Sequence, residues 1–123
     1  MERHLAPSTL RRLGAGLEDE RVRLLEILAG IEVRREAARL AKGAAENNPD
    51  PDNADGGSIA LEMGMDVSIE ENTKGLLEKV LHAQNRMEKG LYGICEITGD
   101  PIPVARLEAL PYATTTVQAE SRL

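Results

Sequence analysis

Residues 46–57 read ENNPDPDNADGG. Each residue type in this stretch favours a turn for its own backbone reason. Pro fixes φ and removes a donor, Gly admits positive φ, and Asn and Asp hydrogen-bond to their own backbone. Such a stretch reads as a loop or a tip, and what flanks it decides what it connects.

On its N-terminal side Leu10, Leu13, Leu17, Leu24, Leu28, Ile31, Ala38 and Ala41 recur at steps of three and four with one skipped turn, interrupted by Arg21 and Arg35. That is the stripe of a long amphipathic helix, placed at roughly 9–45. Gly14 and Gly16 each cost about 1 kcal/mol relative to Ala in a helix interior, which makes a break there plausible. On the C-terminal side Ser58 can cap a second helix. Leu61, Met65, Ile69, Thr73, Leu76, Val80, Ala83 and Met87 then follow at similar steps until Gly90 stops it. The fold class expected is mostly α, with residues 1–90 forming an antiparallel helical hairpin of coiled-coil type. Its length would be roughly 50 Å and its acidic tip would lie at about 46–57.

After Gly90 the pattern shortens to LYGICEI, a TGDP turn, a short helix begun by Pro103 over VARLEAL, and a Thr-rich end. Residues 91–123 thus form a small lobe. It holds both aromatic residues of the chain, Tyr92 and Tyr112, and is too poor in apolar surface to stand alone, so it is expected to pack on the base of the hairpin.

The formal charge is −6, and its distribution says more than its total. Residues 43–73 contain eight acids and no Lys or Arg, whereas the flanking segments are nearly balanced. With no basic stripe, direct DNA binding is not expected. No apolar run is long enough to span a bilayer and no signal-peptide pattern opens the chain, so a cytoplasmic protein without a membrane partner is expected. Cys95 is the single cysteine, which excludes an intramolecular disulfide and, by itself, a four-ligand zinc site. His4 and His82 have no partner at ligand spacing and read as exposed helix residues. A calcium loop begun at Asp50 fails, because Ala54 and Leu61 stand where oxygen ligands are required.

The text from Tyr92 to Thr114, YGICEITGDPIPVARLEALPYAT, resembles the zinc-finger segment of the DksA/TraR family. In that family a cysteine pair precedes an RLEA-x-P segment and a second pair follows it. Here the first position is Cys95 and the others fall on Thr98, Thr116 and Ala119. The resemblance therefore implies a zinc-finger-like lobe lacking zinc, with no cofactor of its own, since hydroxyls and a methyl group are poor zinc ligands. The family also carries an acidic DxxDxA motif at the hairpin tip. DNADGG supplies Asp52 and Asp55 with Gly57 in the alanine position, and Cys95 follows Asp55 by 40 residues, which is the family's spacing. The likeness covers roughly residues 50–120, while the first helix agrees in length and character alone.

What the resemblance implies is a transcription regulator rather than an enzyme. Its partner would be core RNA polymerase, entered through the secondary channel. Asp52 and Asp55 would stand near the catalytic magnesium, which the protein meets only through the polymerase. Alone, those aspartates would read as solvated turn formers. Where part of the family contacts the alarmone ppGpp, this chain has Lys79, Leu110 and Glu120. Only Lys79 is basic and could remain as an alarmone contact, so dependence on ppGpp is not expected. Cys95 reads as a small buried residue. The competing class of function is a coiled-coil adaptor or scaffold that kept the fold and changed its partner.

Overall fold

A computed structural model describes residues 4–47 and 56–122. Four helices follow in order: α1 (Pro7–Asn47), α2 (Gly56–Glu88), α3 (Val104–Ala109) and α4 (Val117–Glu120). Among the described residues the only extended pairing is an isolated bridge between Ile94 and Pro101, so the mostly α reading holds. Among them, too, no helix is long and apolar enough to cross a membrane.

α1 opens two residues earlier than the apolar stripe suggests, with Pro7 at its first position, where a missing N–H costs nothing. It runs unbroken through Gly14 and Gly16. At Gly14 the reason is packing, because a Cβ there would lie 3.0 Å from the Met87 sulfur on α2. Close approach of the two helices outweighs the low helix propensity of glycine. α2 starts at Gly56, so Ser58 is its third residue and not its cap. Gly90, at φ +74, ends it, with the Leu91 N–H returning to the Arg86 carbonyl at 2.8 Å.

Contacts divide the chain into two units, Met1–Arg23 with Leu76–Leu123, and Leu24–Gly75. In the first, Leu13 and Leu17 of α1 meet Val80 and Ala83 of α2, and all four are buried. Gln84 donates to Glu18 across the pair. The lobe belongs to this unit and adds Tyr92, Cys95, Ile102, Leu107 and Ala119 to its core. Gly93 is required there. Its φ is +86, and a Cβ would stand 2.7 Å from Leu5 Cδ1. Leu5 is buried, and His4 Nε2 bonds the Ile102 carbonyl at 3.0 Å. His4 therefore lies ahead of α1 as part of a strap onto the lobe, not on a helix as expected.

In the second unit α1 and α2 again run antiparallel, but their seam changes character. Along the whole of α2 the inward positions include Asp66, Glu70, Thr73, Leu77, Val80, Gln84 and Met87, at alternating steps of four and three, with Ala83 buried beside them. That is a heptad seam. The row Leu61, Met65, Ile69, Thr73 instead advances by four each time, about 40° beyond a full turn per step, which carries Leu61 about 120° off the seam. Polar residues take its place. Arg34 donates through Nε and Nη2 to both Asp66 oxygens at 3.1 and 3.0 Å, and Arg35 bridges to Glu70, which Lys74 also reaches.

These donors hold both carboxyls below their ordinary values of 3.8 and 4.5, Asp66 through its hydrogen bond from Arg34 and Glu70 through those from Arg35 and then Lys74. A carboxylate whose folded pKa is depressed stabilises fully above its unfolded pKa and loses that contribution as pH falls through the folded one. Helicity should therefore drop in wild type as pH falls below the ordinary carboxylate range. It should be flatter in an Asp66→Asn, Glu70→Gln variant when followed by circular dichroism; identical profiles would refute the charged seam. By contrast Leu17, fully buried, is an apolar seam residue. Leu17→Ala should lower the unfolding free energy by about 2–5 kcal/mol in a denaturant titration.

Candidate functional site

Two regions carry chemistry, the lobe around Cys95 and the acidic segment between α1 and α2. In the lobe, the sequence CEITGD folds into a tight loop. The Cys95 N–H donates to the Asp100 carbonyl at 2.7 Å, the Gly99 N–H donates to the Cys95 carbonyl at 2.8 Å, and Gly99 sits at φ +77. This loop presents Cys95 Sγ inward, where the residue is 1 % exposed. Facing it is the start of α4. The Thr116 N–H approaches Sγ at 3.4 Å and its hydroxyl at 3.9 Å, while the same hydroxyl accepts from the Ala119 N–H at 3.2 Å and caps the helix.

Burial pushes the Cys95 thiol up. Hydrogen bonds from the Thr98 hydroxyl and from the backbone N–H groups of Thr116, Thr98 and Ile97 outweigh it and bring the thiol down to about 6. The structure thus gathers Cys95, Thr116 and Ala119 into one buried cluster, with Thr98 on the exposed turn beside it. The reading of Cys95 as a small buried residue holds in position, although its hydrogen bonding was not foreseen.

Beside this cluster lies a cavity of about 280 Å³ lined by Lys79, His82, Glu96, Arg106, Leu110, Tyr112 and Glu120 among others. It brings together Lys79, Leu110 and Glu120, which the sequence places far apart. Lys79 Nζ stands 5.9 Å from the centre of the Tyr112 ring, a cation–π arrangement. Arg106 donates to Glu120 at 2.5 Å and to the Thr115 carbonyl at 2.9 Å, so its charge is met from within the protein. Glu96 accepts from His82 at 2.7 Å and from the Thr114 hydroxyl at 3.1 Å, tying the lobe to α2. His82 is indeed an exposed helix residue. Sequence reasoning missed Arg106 and Glu96, because their partners come from other elements and no local spacing announces them.

Asp52 and Asp55 lie outside the described residues, in the segment joining Asn47 to Gly56. Gly57 falls in the first turn of α2.

Segment 90–122, the lobe itself, matches the family described as prokaryotic dksA/traR C4-type zinc finger. Over 88 residues, 72 % of this chain and 61 % of the relative, the chain is 38 % identical to the RNA polymerase-binding transcription factor DksA of Caulobacter vibrioides. Over 94 residues, 76 % of this chain and 58 % of the relative, it is 38 % identical to general stress protein 16O of Bacillus subtilis. The solved structure of transcription factor DksA2 from Pseudomonas aeruginosa superposes with a TM-score of 0.69 at 28 % identity, covering 97 % of this chain and 85 % of that one. The fold is thus similar to that of a solved DksA-type structure, and the lobe to a C4-type zinc finger. The chain is similar to DksA/TraR proteins in its lobe and in its fold, and it spans about three fifths of the length of the curated relatives it matches.

One expectation is corrected by this match. The lobe was expected to have no zinc and the protein no cofactor, whereas the family is a C4-type zinc finger and the match indicates zinc binding. The side chains present do not fit a C4 site, since Cys95 is the single thiol among Cys95, Thr98, Thr116 and Ala119. Among the described residues no three His, Cys, Asp or Glu side chains converge as a metal group. No step is therefore assigned to the metal. The misreading arose from treating absent ligands as a statement about the family's cofactor.

Thr116 joins the Cys95 loop to α4 through both roles of one hydroxyl. Replacing Thr116 by Val should cost about 1 kcal/mol of stability through the lost cap and sulfur contact. The loss is read as a lower midpoint in a denaturant titration. An unchanged midpoint would show that this hydroxyl does not hold α4 to the Cys95 loop.

Proposed function

We propose that this protein is a transcription regulator that binds RNA polymerase through its secondary channel and acts there with Asp52 and Asp55 near the catalytic magnesium. The observation that carries the reading is the join of two landmarks in register. A lobe matching the family's zinc-finger segment begins at residue 90, and the DxxDxA-like stretch lies 40 residues before Cys95, in the link between two antiparallel helices. The likeness to a relative named as an RNA polymerase-binding transcription factor supports the choice of partner.

The physical role follows from the residue types. Carboxylates are hard oxygen donors suited to magnesium and to the Arg and Lys side chains that surround a nucleotide-polymerising centre. Carried in the segment between the two helices, they bring charge to the centre without forming or breaking a bond. The protein modulates promoter complexes in this reading and is not an enzyme itself. Polymerase is the partner, without direct DNA contact, and the molecule works in the cytoplasm where polymerase is. Dependence on ppGpp is not part of the proposal. Of Lys79, Leu110 and Glu120 only the first is basic, and Glu120 already neutralises Arg106 in the same cavity.

The test is a promoter-complex lifetime assay with core polymerase and its initiation factor, comparing wild type with an Asp52→Asn, Asp55→Asn variant. The variant should bind core polymerase as wild type does, yet return the lifetime to its value without the protein. A protein that does not bind polymerase, or a variant that acts like wild type, would end this reading, the first result favouring the adaptor class.

A further inference from the structure

α2 turns toward solvent a row of side chains that α1 does not cover. Leu61, Met65 and Ile69 are 68, 57 and 44 % exposed. With Gly64 and Ser68 they line an open groove of about 420 Å³ whose walls are mostly apolar. Gly64 lowers one wall, since nothing lies within 4 Å of where its Cβ would stand. Rotation of α2 cannot hide this row in the seam without breaking the bridges from Arg34 to Asp66 and from Arg35 to Glu70. The charged seam therefore fixes the apolar row outward.

The rims of the groove are acidic. At about 100° per residue, Glu62 falls beside the row on one side and Glu71 beside Gly64 and Ser68 on the other. Among the described residues neither makes an ion pair, and residues 61–73 contain no Lys or Arg. An apolar strip between two such carboxylates complements an apolar ridge flanked by cations. A second copy of this chain would bring the same carboxylates face to face, and an anionic lipid surface would meet the same repulsion.

We propose that this groove is a docking surface for a protein partner presenting an apolar ridge bordered by Lys or Arg. This gives the protein a grip separate from its tip aspartates. It rests on the polymerase reading for the identity of the partner, and the experiment separates the two.

Binding of the full chain to core RNA polymerase is measured by fluorescence anisotropy for three proteins. These are wild type, a Leu61→Ser, Met65→Ser, Ile69→Ser variant, and a Glu62→Lys, Glu71→Lys variant. All substituted residues are exposed, so thermal melting should be unchanged and serves as the folding control. The apolar variant should bind roughly tenfold or more weakly. The charge variant should bind more weakly and lose part of the salt dependence seen with wild type. If wild type binds and both variants match it, the docking inference fails while the polymerase reading stands. Wild type that does not bind removes both. Sedimentation that shows wild type as a dimer and the apolar variant as a monomer would make the groove a contact between copies, which also overturns the proposal.

Discussion

Pairing of α1 with α2 is the constraint on which the rest depends. Neither helix is covered on its own, and the chain has almost no aromatic surface with which to build a separate core. Aliphatic residues therefore close the seam where α1 and α2 meet the lobe, and the lobe shares that core through Tyr92, Ile102 and Leu107. Tyr92 shows how complete the sealing is. Its hydroxyl donates to the Pro111 carbonyl at 2.7 Å, and burial pushes its pKa up to about 12. Elsewhere along the same two helices, Leu24 and Ile31 of α1 stay buried while ion pairs join the seam on the α2 side and Leu61, Met65 and Ile69 face outward. One heptad thus runs through two chemistries.

Much of the fold was legible because helix and turn signals are local. The turn-rich stretch at 46–57 separates two stripes, and Gly90 and Pro103 punctuate the lobe. The inward face of α2 was not legible where a row at steps of four runs beside a polar heptad. Counting apolar residues favours Leu61, Met65 and Ile69, yet Asp66 and Glu70 pack inward because two arginines wait on α1. Continuity through Gly14 was hidden for a related reason, since the Met87 sulfur that occupies its free space is remote in the chain.

The candidate site was legible in its landmarks and not in its supports. Cys95 and its three companion positions came from a motif, and the structure draws Cys95, Thr116 and Ala119 into one hydrogen-bonded cluster. Arg106, Glu96 and Thr114 were invisible, because each acts through a partner on another element. The zinc expectation failed differently. A ligand count addresses which side chains are present, whereas the match addresses what the family binds, and the two were treated as one question.

The ion pairs between α1 and α2 also change what the helix pair responds to. Apolar seams are nearly indifferent to dissolved ions, but bridges such as Arg34 to Asp66 are partly open to water and are screened as ions accumulate. Over Leu24–Gly75 the helix pair therefore answers to the ionic strength of its surroundings through these bridges, while the buried Leu24 and Ile31 beside them do not.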